Sequence, residues 1–194
     1  MKDFRYANRG GIFEEFISYS NKRYRKNGDA VVWKVPTPFI PIRNSQGKIV
    51  SCKVEEKSCT DYLGRYRNIP VAIEAKHTKS KRIRFDEVKD HQAQFLDDFI
   101  GDYGVGFGAV LVSFNMERFF LVPWQFWAEA RDLWKNNKGK KETIVQYGMK
   151  WETTGKASVS ADELLPEWEV KPNNKYGLAY LSKIDTYIYP VLQV

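Results

Sequence analysis

Cysteine and long apolar runs are scarce in this sequence. The two cysteines, Cys52 and Cys59, match no paired metal-ligand spacing, and we interpret them as ordinary small side chains of a protein in a reducing compartment. No run approaches the roughly 20 apolar residues that cross a bilayer. The first residues, MKDFRYANRGG, lack the apolar region of a secretory signal. We therefore expect a cytoplasmic protein that does not enter a membrane.

Basic and aromatic residues, by contrast, are abundant. The sequence has 31 lysines and arginines against 24 acidic residues, a net charge of +7, and 15% aromatic residues. A basic surface attracts phosphate backbones and releases their counterions, although charge alone does not identify a DNA-binding protein. A chain of 194 residues that is 43% hydrophobic can bury one core, and it contains no internal repeat. We expect a single domain over residues 1–194.

The spacing of apolar residues predicts both helices and strands. A first helix lies in GGIFEEFISYSNKRYRKNG and ends at Gly28, which can adopt a left-handed conformation. Buried strands are predicted for AVVWKV, IPVAIEAK, VGFGAVLVSF and RFFLV. Two more helices contain residues 85–99 and 124–134, and a capping box of Ser160 and Glu163 precedes a short helix. The predicted fold class is α/β, with helices on the faces of a mixed central β-sheet.

Residues 36–58 are expected to leave this sheet. Pro36 and Pro38 remove backbone donors directly after the first strand, so the sheet cannot continue there. The residues from Phe39 to Lys57 alternate between apolar and basic side chains and contain a turn at residues 44–47. This pattern predicts a hairpin-like excursion.

Asp61, Glu74 and Lys76 form the pattern that carries chemistry. Glu74 and Lys76 lie two residues apart on a predicted strand and therefore share one face. Two carboxylates can bind a divalent cation such as Mg²⁺, and a nearby ammonium group can hold the attacking water and offset charge on the phosphate. This combination suits phosphodiester hydrolysis. Taken alone the pattern is weak, because a solvated strand end with ordinary surface charges would look the same.

Several short motifs in a fixed order resemble one family. The segments NRGGIFEEFISYSN, KVPTP, TDYLGRYRNIPVAIEAKHT, the pair HQ at residues 91–92, and GLAYLSKIDTYI are similar to the RecU family of Holliday junction resolvases. The resemblance covers nearly the whole chain. It implies a restriction-endonuclease-like fold, a homodimer, dependence on Mg²⁺ or Mn²⁺, and a protruding stalk that enters the centre of a four-way DNA junction.

The resemblance also implies roles for individual residues. The metal-binding acids fall on Asp61, Glu74 and the first-helix residue Glu14, and the catalytic lysine falls on Lys76. Thr60 and Gln92 match positions beside the active site, where Gln92 could orient a water molecule or support Lys76. The stalk corresponds to residues 36–58, and its candidate phosphate contacts are Arg43, Lys48, Lys53 and Lys57.

Some of these assignments have simpler alternatives. Glu14 flanks an apolar helical stripe, where an exposed acid is ordinary. His77 stands where the family commonly has an acid, and its position on the opposite strand face favours packing or an indirect role over metal ligation. The stalk lysines could merely protect an exposed hairpin edge from aggregation.

Three functions are compatible with the sequence. The first is an endonuclease that resolves four-way junctions by paired nicks in recombination and repair. The second is a junction-binding scaffold that no longer cuts, and the third is a duplex-specific endonuclease. The intact Asp61, Glu74 and Lys76 favour an enzyme, and the basic excursion favours junction recognition by shape. Strand-exchange or branch-migration proteins are candidate partners. The many aromatic residues, among them Phe119, Phe120, Trp124 and Trp127, provide enough apolar surface to cover both a core and a dimer interface, or they all fill one core.

Overall fold

The computed structural model describes residues 9–55, 57–101, 106–136 and 139–188. Within these ranges, helices α1 to α4 span Arg9–Lys26, Asp90–Ile100, Trp124–Asn136 and Ile184–Ile188. Strands β1 to β14 span, in chain order, Ala30–Lys34, Phe39–Arg43, Ile49–Val54, Tyr62–Tyr66, Ile69–Thr78, Arg82–Arg84, Phe107–Phe114, Arg118–Pro123, Thr143–Gln146, Met149–Glu152, Ser158–Ser160, Glu169–Val170, Pro172–Asn173 and Gly177–Leu178.

The central sheet is mixed, which confirms the predicted fold class. Its strand order in the described residues is β1-β4-β5-β7-β8-β12. Strands β5 and β7 run parallel, and the other neighbours are antiparallel. Helix α1 covers one face, where Phe13 meets His77 of β5 with ring centroids 6.3 Å apart. Helix α2 covers the other face, because its Gln92 contacts Glu74 and Lys76 of the same strand.

The aromatic residues fill the core. Phe119, Phe120, Trp124 and Trp127 are all buried. Helix α3 packs beside α2, and the Trp124 indole N–H donates a hydrogen bond to Asp97 Oδ1 at 2.6 Å. These four aromatic residues therefore fill the core, which is the second of the two alternatives given for them above.

The structure contains the predicted helices and strands, but several predictions about them need correction. Helix α2 begins at Asp90 instead of Phe85, because Phe85–Glu87 forms a separate 3-10 turn and Val88 is extended. Strand β1 lies at the edge of the sheet, and its Trp33 is exposed, so it is not the fully buried strand that was predicted. Strand β4 and the β9–β10 hairpin were not predicted.

The predicted excursion is a hairpin of its own. Strands β2 and β3 pair with each other in a separate sheet, and their side chains are exposed. The turn is closed by Asn44, whose Oδ1 accepts hydrogen bonds from the backbone N–H groups of Gln46 and Lys48 at 3.0 Å. Gly47 adopts the left-handed conformation that this turn requires, with φ at 80°. In the described ranges, no helix is long and apolar enough to span a membrane.

Candidate active site

The β4–β5 hairpin brings Asp61 beside Glu74. The last backbone pair at this end of the hairpin joins Tyr62 to Ile73, so the next positions on the two strands are 61 and 74. The chain reverses at Arg67, which adopts a positive φ of 50°. The Asp61 carboxylate is held in place because its Oδ2 accepts the backbone N–H of Ala75 at 2.8 Å. Two acids that are thirteen residues apart in sequence thus become cross-strand neighbours.

The Glu74 carboxylate is completely buried. Its Oε1 accepts hydrogen bonds from Gln92 Nε2 at 2.5 Å and from Lys76 Nζ at 2.7 Å. Among the described residues, its Oε2 has no hydrogen-bond donor. Burial, together with the negative charge of Asp61, raises the pKa of Glu74 to about 7, although Lys76 opposes the increase. A buried carboxylate with an open oxygen beside a second carboxylate is suited to hold a cation.

Lys76 and Gln92 complete one hydrogen-bonded group with Glu74. The Lys76 side chain is 18% exposed, so its ammonium is largely shielded yet reachable from solvent. Gln92 Oε1 accepts hydrogen bonds from Lys76 Nζ at 3.4 Å and from the backbone N–H of Lys89 at 3.0 Å. Because its amide group is fixed at both ends, Gln92 orients Glu74 and Lys76 relative to the start of α2.

Thr60 supports the site from behind. Its side chain is buried, and its hydroxyl donates to the backbone carbonyl of Ile73 at 3.0 Å. The Ser58 hydroxyl donates to the carbonyl of Thr60 at 2.8 Å. These bonds join the segment before β4 to β5, and they hold the backbone from which the Asp61 side chain extends.

Glu14 lies apart from this group. Its Oε2 pairs with Lys34 Nζ of the edge strand at 2.5 Å, and α1 occupies the sheet face opposite Gln92. In the described residues no group of three or more histidine, cysteine or acidic side chains is placed to hold a metal. The structure therefore brings together Asp61, Glu74, Lys76 and Gln92, with Thr60 behind them, and leaves Glu14 outside.

His77 takes part in packing on the α1 side. Its Nδ1 is 3.1 Å from Ser113 Oγ, and its ring lies against Phe13. This placement agrees with the alternation of side chains along β5, which points His77 away from Glu74 and Lys76.

The four basic residues of the stalk are exposed, but they differ in their contacts. The Arg43 guanidinium donates to the backbone carbonyl of Gly47 at 2.8 Å and helps to close the turn. Lys48, Lys53 and Lys57 extend from the hairpin and the segment that follows it. All four are accessible to DNA phosphates.

The residues present fit one divalent cation. Oxygen is the donor type that Mg²⁺ and Mn²⁺ prefer, and Mg²⁺ is commonly held by one or two carboxylates while it keeps several waters. Asp61 and Glu74 supply such a pair, and the Glu74 oxygen without a donor is the atom that burial leaves uncompensated. A bound cation would offset that buried charge.

Glu74 should make the stability of the metal-free protein depend on pH. In the unfolded chain its carboxyl ionises near its ordinary pKa of 4.5, but in the folded protein it ionises only near pH 7. The contribution of Glu74 to the free energy of unfolding is therefore fully present below pH 4.5 and is lost as the pH rises to about 7. At pH 8 in chelator, Glu74→Gln should raise the free energy of unfolding by on the order of 3 kcal/mol, which thermal melts would detect.

A matched control is Glu163→Gln. Although burial raises the pKa of Glu163, its hydrogen bonds from Arg82 lower it below the ordinary value. This variant should therefore lose stability at pH 8. A Glu74→Gln protein that melts at or below the wild-type temperature at pH 8 would contradict the proposed burial of charge.

Sequence reasoning missed the strand that positions Asp61. Residues 62–66 alternate between buried tyrosines and less buried residues, which is a strand signal. Gly64 allows the close approach of β1, because a Cβ atom there would lie 2.0 Å from the Val31 carbonyl oxygen. The segment TDYLGRYRN carries this alternation, but over only a few residues, so the strand was not recognised from the sequence.

Comparison with known proteins agrees with the motif resemblance. The family model RecU, recombination protein U, matches residues 8–186. Proteins named Holliday junction resolvase RecU from two Streptococcus pneumoniae strains, Taiwan19F-14 and CGSP14, are 34% and 35% identical over 152 residues, covering 73% of each chain. The structure of Hjc, a Holliday junction resolvase from Archaeoglobus fulgidus, aligns with a TM-score of 0.34 and 13% identity over 57% of this chain and 74% of that chain. So remote a likeness assigns no residue roles.

Proposed function

This chain belongs to the RecU family and is a Holliday junction resolvase, and we propose that it cuts four-way DNA junctions by hydrolysis at a site formed by Asp61, Glu74 and Lys76. The observation that carries this assignment is the grouping of these three residues by the β4–β5 hairpin. The Glu74 carboxylate contacts Lys76 at 2.7 Å, and Asp61 is bound to the backbone of Ala75, between them in sequence.

Family membership implies use of a divalent metal ion, and we propose that Asp61 and Glu74 hold Mg²⁺ or Mn²⁺. When bound, such an ion stabilises negative charge on the phosphate and lowers the pKa of a bound water. Glu14 would have to release Lys34 before it could join them. The Glu74 oxygen without a donor supports this assignment.

Lys76 is proposed to act on the reacting phosphate. Its ammonium can hold the attacking water and offset the charge that develops on the phosphate oxygens. Gln92 is a positioning residue, because it acts through its hydrogen bonds to Lys76 and Glu74. Thr60 supports the backbone of the Asp61 segment.

Residues 36–58 are proposed to form the stalk that recognises the junction centre. The exposed β2–β3 hairpin carries Arg43, Lys48 and Lys53, and Lys57 follows it. Basic side chains contact phosphates whatever the base sequence, so selectivity would come from the shape of the branched DNA.

The working unit is proposed to be a homodimer with two equal sites. Resolution of a junction needs two symmetric cuts, and this chain supplies one set of Asp61, Glu74 and Lys76. Two-fold pairing is the commonest way in which identical chains form symmetric assemblies. Apolar side chains that could bury against a second copy are exposed on the stalk and at its base, namely Trp33, Phe39, Ile40, Ile42, Ile49, Val50 and Val54.

Light scattering should give about twice the 22.7 kDa chain mass. Replacing Ile42 and Val50 by aspartate should shift the measured mass toward that of a single chain, because charge at an apolar interface opposes association.

A mixed dimer of wild-type and Glu74→Gln chains should nick one strand without completing resolution. A monomer that cuts both strands in one binding event would exclude the dimer mechanism.

The substrate test compares a labelled immobile four-way junction with linear duplex and single strand, each with Mg²⁺, Mn²⁺ or chelator. We expect paired symmetric nicks in the junction and little cutting of the other two. Binding without cutting in either metal would identify a non-cleaving scaffold, and equal cutting of linear duplex would identify a duplex-specific endonuclease. Strand-exchange and branch-migration proteins remain proposed partners for the same reaction.

A further inference from the structure

Trp33 is the most exposed of the six tryptophans in the chain. Its side chain is 61% exposed, whereas the other five are buried or half-buried. A tryptophan side chain is a large flat ring, and burying it away from water is favourable. Tryptophan is accordingly enriched at surfaces that bind other molecules. Trp33 is therefore a candidate contact residue, and its place in the sheet decides what it can contact.

Trp33 leaves the sheet on the face that carries Glu74. The strand register pairs Trp33 of β1 with Leu63 of β4, and Leu63 with Ala72 of β5. Directly paired residues of neighbouring strands extend to the same face, and Glu74 lies two residues beyond Ala72 on β5. Trp33 and Glu74 therefore share a face, which is opposite to the face that α1 covers.

Trp33 is also close to the candidate active site. Val35 donates its backbone N–H to the carbonyl of Asp61 at 2.8 Å, so positions 35 and 61 are neighbours on adjacent strands. Trp33 lies two residues before Val35, which places its backbone about 8 Å from that of Asp61, at about 3.3 Å per residue and about 4.8 Å between strands. That length corresponds to about two nucleotide steps along one strand of duplex DNA.

The surroundings of Trp33 are basic. The Arg25 guanidinium lies over its ring, 4.7 Å from the centroid. Among the described residues that line the adjoining groove of about 190 Å³, three are basic and none is acidic: Lys22, Arg25 and Lys34. Lys34 is paired with Glu14, so the charge of the groove comes chiefly from the exposed Lys22 and Arg25. The exposure of Trp33 leaves much of the ring open to a second flat group.

A nucleobase is the flat group that these surroundings favour. Bases stack on aromatic rings whatever their sequence, and basic side chains beside the ring attract the phosphates of the same strand. In a linear duplex each base is already stacked on its neighbours, so moving one onto a protein ring costs free energy. That cost is least where stacking and pairing are already interrupted, as they are at the centre of a four-way junction.

We propose that Trp33 and Arg25 form a stacking site for one unstacked base at the branch point, beside the strand that is cut. This inference rests on the proposed function and deepens it, because it assigns part of the preference for branched DNA to a residue outside the stalk. A base held on Trp33 would also fix the position of its strand relative to Asp61 and Glu74.

The test measures binding in chelator to a labelled junction and to a linear duplex with the sequence of its arms. Trp33→Leu keeps an apolar side chain but removes the flat ring, and Trp33→Phe keeps a ring. The matched control is Tyr19→Leu. Tyr19 is also an aromatic residue beside an arginine, with the Arg23 guanidinium 5.7 Å from its ring centroid, and it is 50% exposed. It lies on α1, which covers the opposite face of the sheet.

Trp33→Leu should weaken junction binding about 10-fold, which lies within the range for the loss of one stacked base, and should change duplex binding by less than about twofold. Its slope of log K against log salt should equal that of the wild type, because no phosphate contact is removed. Trp33→Phe should retain most of the junction affinity. Tyr19→Leu should bind both DNAs as the wild type does.

Unchanged junction binding by Trp33→Leu, or equal weakening on junction and duplex, would overturn the stacking site. It would also be overturned if Trp33→Phe bound as weakly as Trp33→Leu, or if Tyr19→Leu lost as much affinity. A shift of Trp33→Leu toward the 22.7 kDa chain mass in light scattering would place Trp33 between two copies of the chain and overturn it as well. If the wild-type protein neither prefers nor cuts junctions, the proposed function fails, and this wild-type measurement distinguishes the two failures.

Discussion

Replacing Asp61 by asparagine, or Glu74 by glutamine, should abolish junction cutting and leave junction binding in chelator nearly intact. Each change keeps the shape of the side chain and removes one of the two carboxylate charges proposed to hold the cation. The basic surfaces that bind phosphates are untouched, and removal of a negative charge beside DNA cannot weaken their attraction. We expect a fall in cutting rate of at least about 10³, as for the loss of essential catalytic groups.

Two controls sharpen this experiment. Glu152→Gln removes an exposed carboxylate of β10 and should cut at the wild-type rate. Glu14→Gln should reduce cutting far less than Glu74→Gln, because Glu14 pairs with Lys34 on the other side of the sheet. An equal loss in Glu14→Gln would place Glu14 at the metal. Loss of DNA binding in both Asp61→Asn and Glu74→Gln, in proteins at least as stable as the wild type, would show that these acids are structural.

Lys76→Ala should lower the cutting rate by about 10² to 10³ without changing the affinity for the junction by more than a few-fold. The expected loss is that of one well-placed group at a developing charge. Because Lys76 Nζ contacts both Glu74 and Gln92, its position is set by two hydrogen bonds, and a lysine elsewhere cannot replace it. Single-turnover cutting at saturating protein measures the chemical step without the binding step.

Lys175→Ala is the matched control, since Lys175 also lies near an acid, Asp29, but at the far end of the sheet. The Lys175→Ala variant should cut at the wild-type rate.

Gln92→Ala should lower the cutting rate by an intermediate amount and alter the pH profile of cutting, because it releases both Glu74 and Lys76. A near-normal rate for Lys76→Ala would remove this lysine from the mechanism.

Local patterns in the sequence predicted much of the fold. The period of apolar residues placed α1, β5, β7, β8 and α3, because each element buries one face or both against the same core. The stalk hairpin was also predictable, since its prolines, its alternation and its Asn44-to-Gly47 turn are local signals. The start of α2 was predicted too early in the chain. Phe85 packs into the core from a 3-10 turn and Val88 from an extended segment, but their spacing is the same as that of apolar residues on one face of a helix.

The sequence by itself determined the chemistry that the site can perform. It showed two acids and a lysine, the last two on one strand face, and the motif order that places the chain in its family. Whether Asp61 meets Glu74 was decided by tertiary structure, because it depends on the register of the β4–β5 hairpin and a shift of one residue would turn one acid to the other face. The pairing of Glu14 with Lys34, the buried Glu74 oxygen without a donor, and the pairing of Arg82 with Glu163 also depend on long-range packing. Sequence spacing carries no information on such contacts, since they join residues through space.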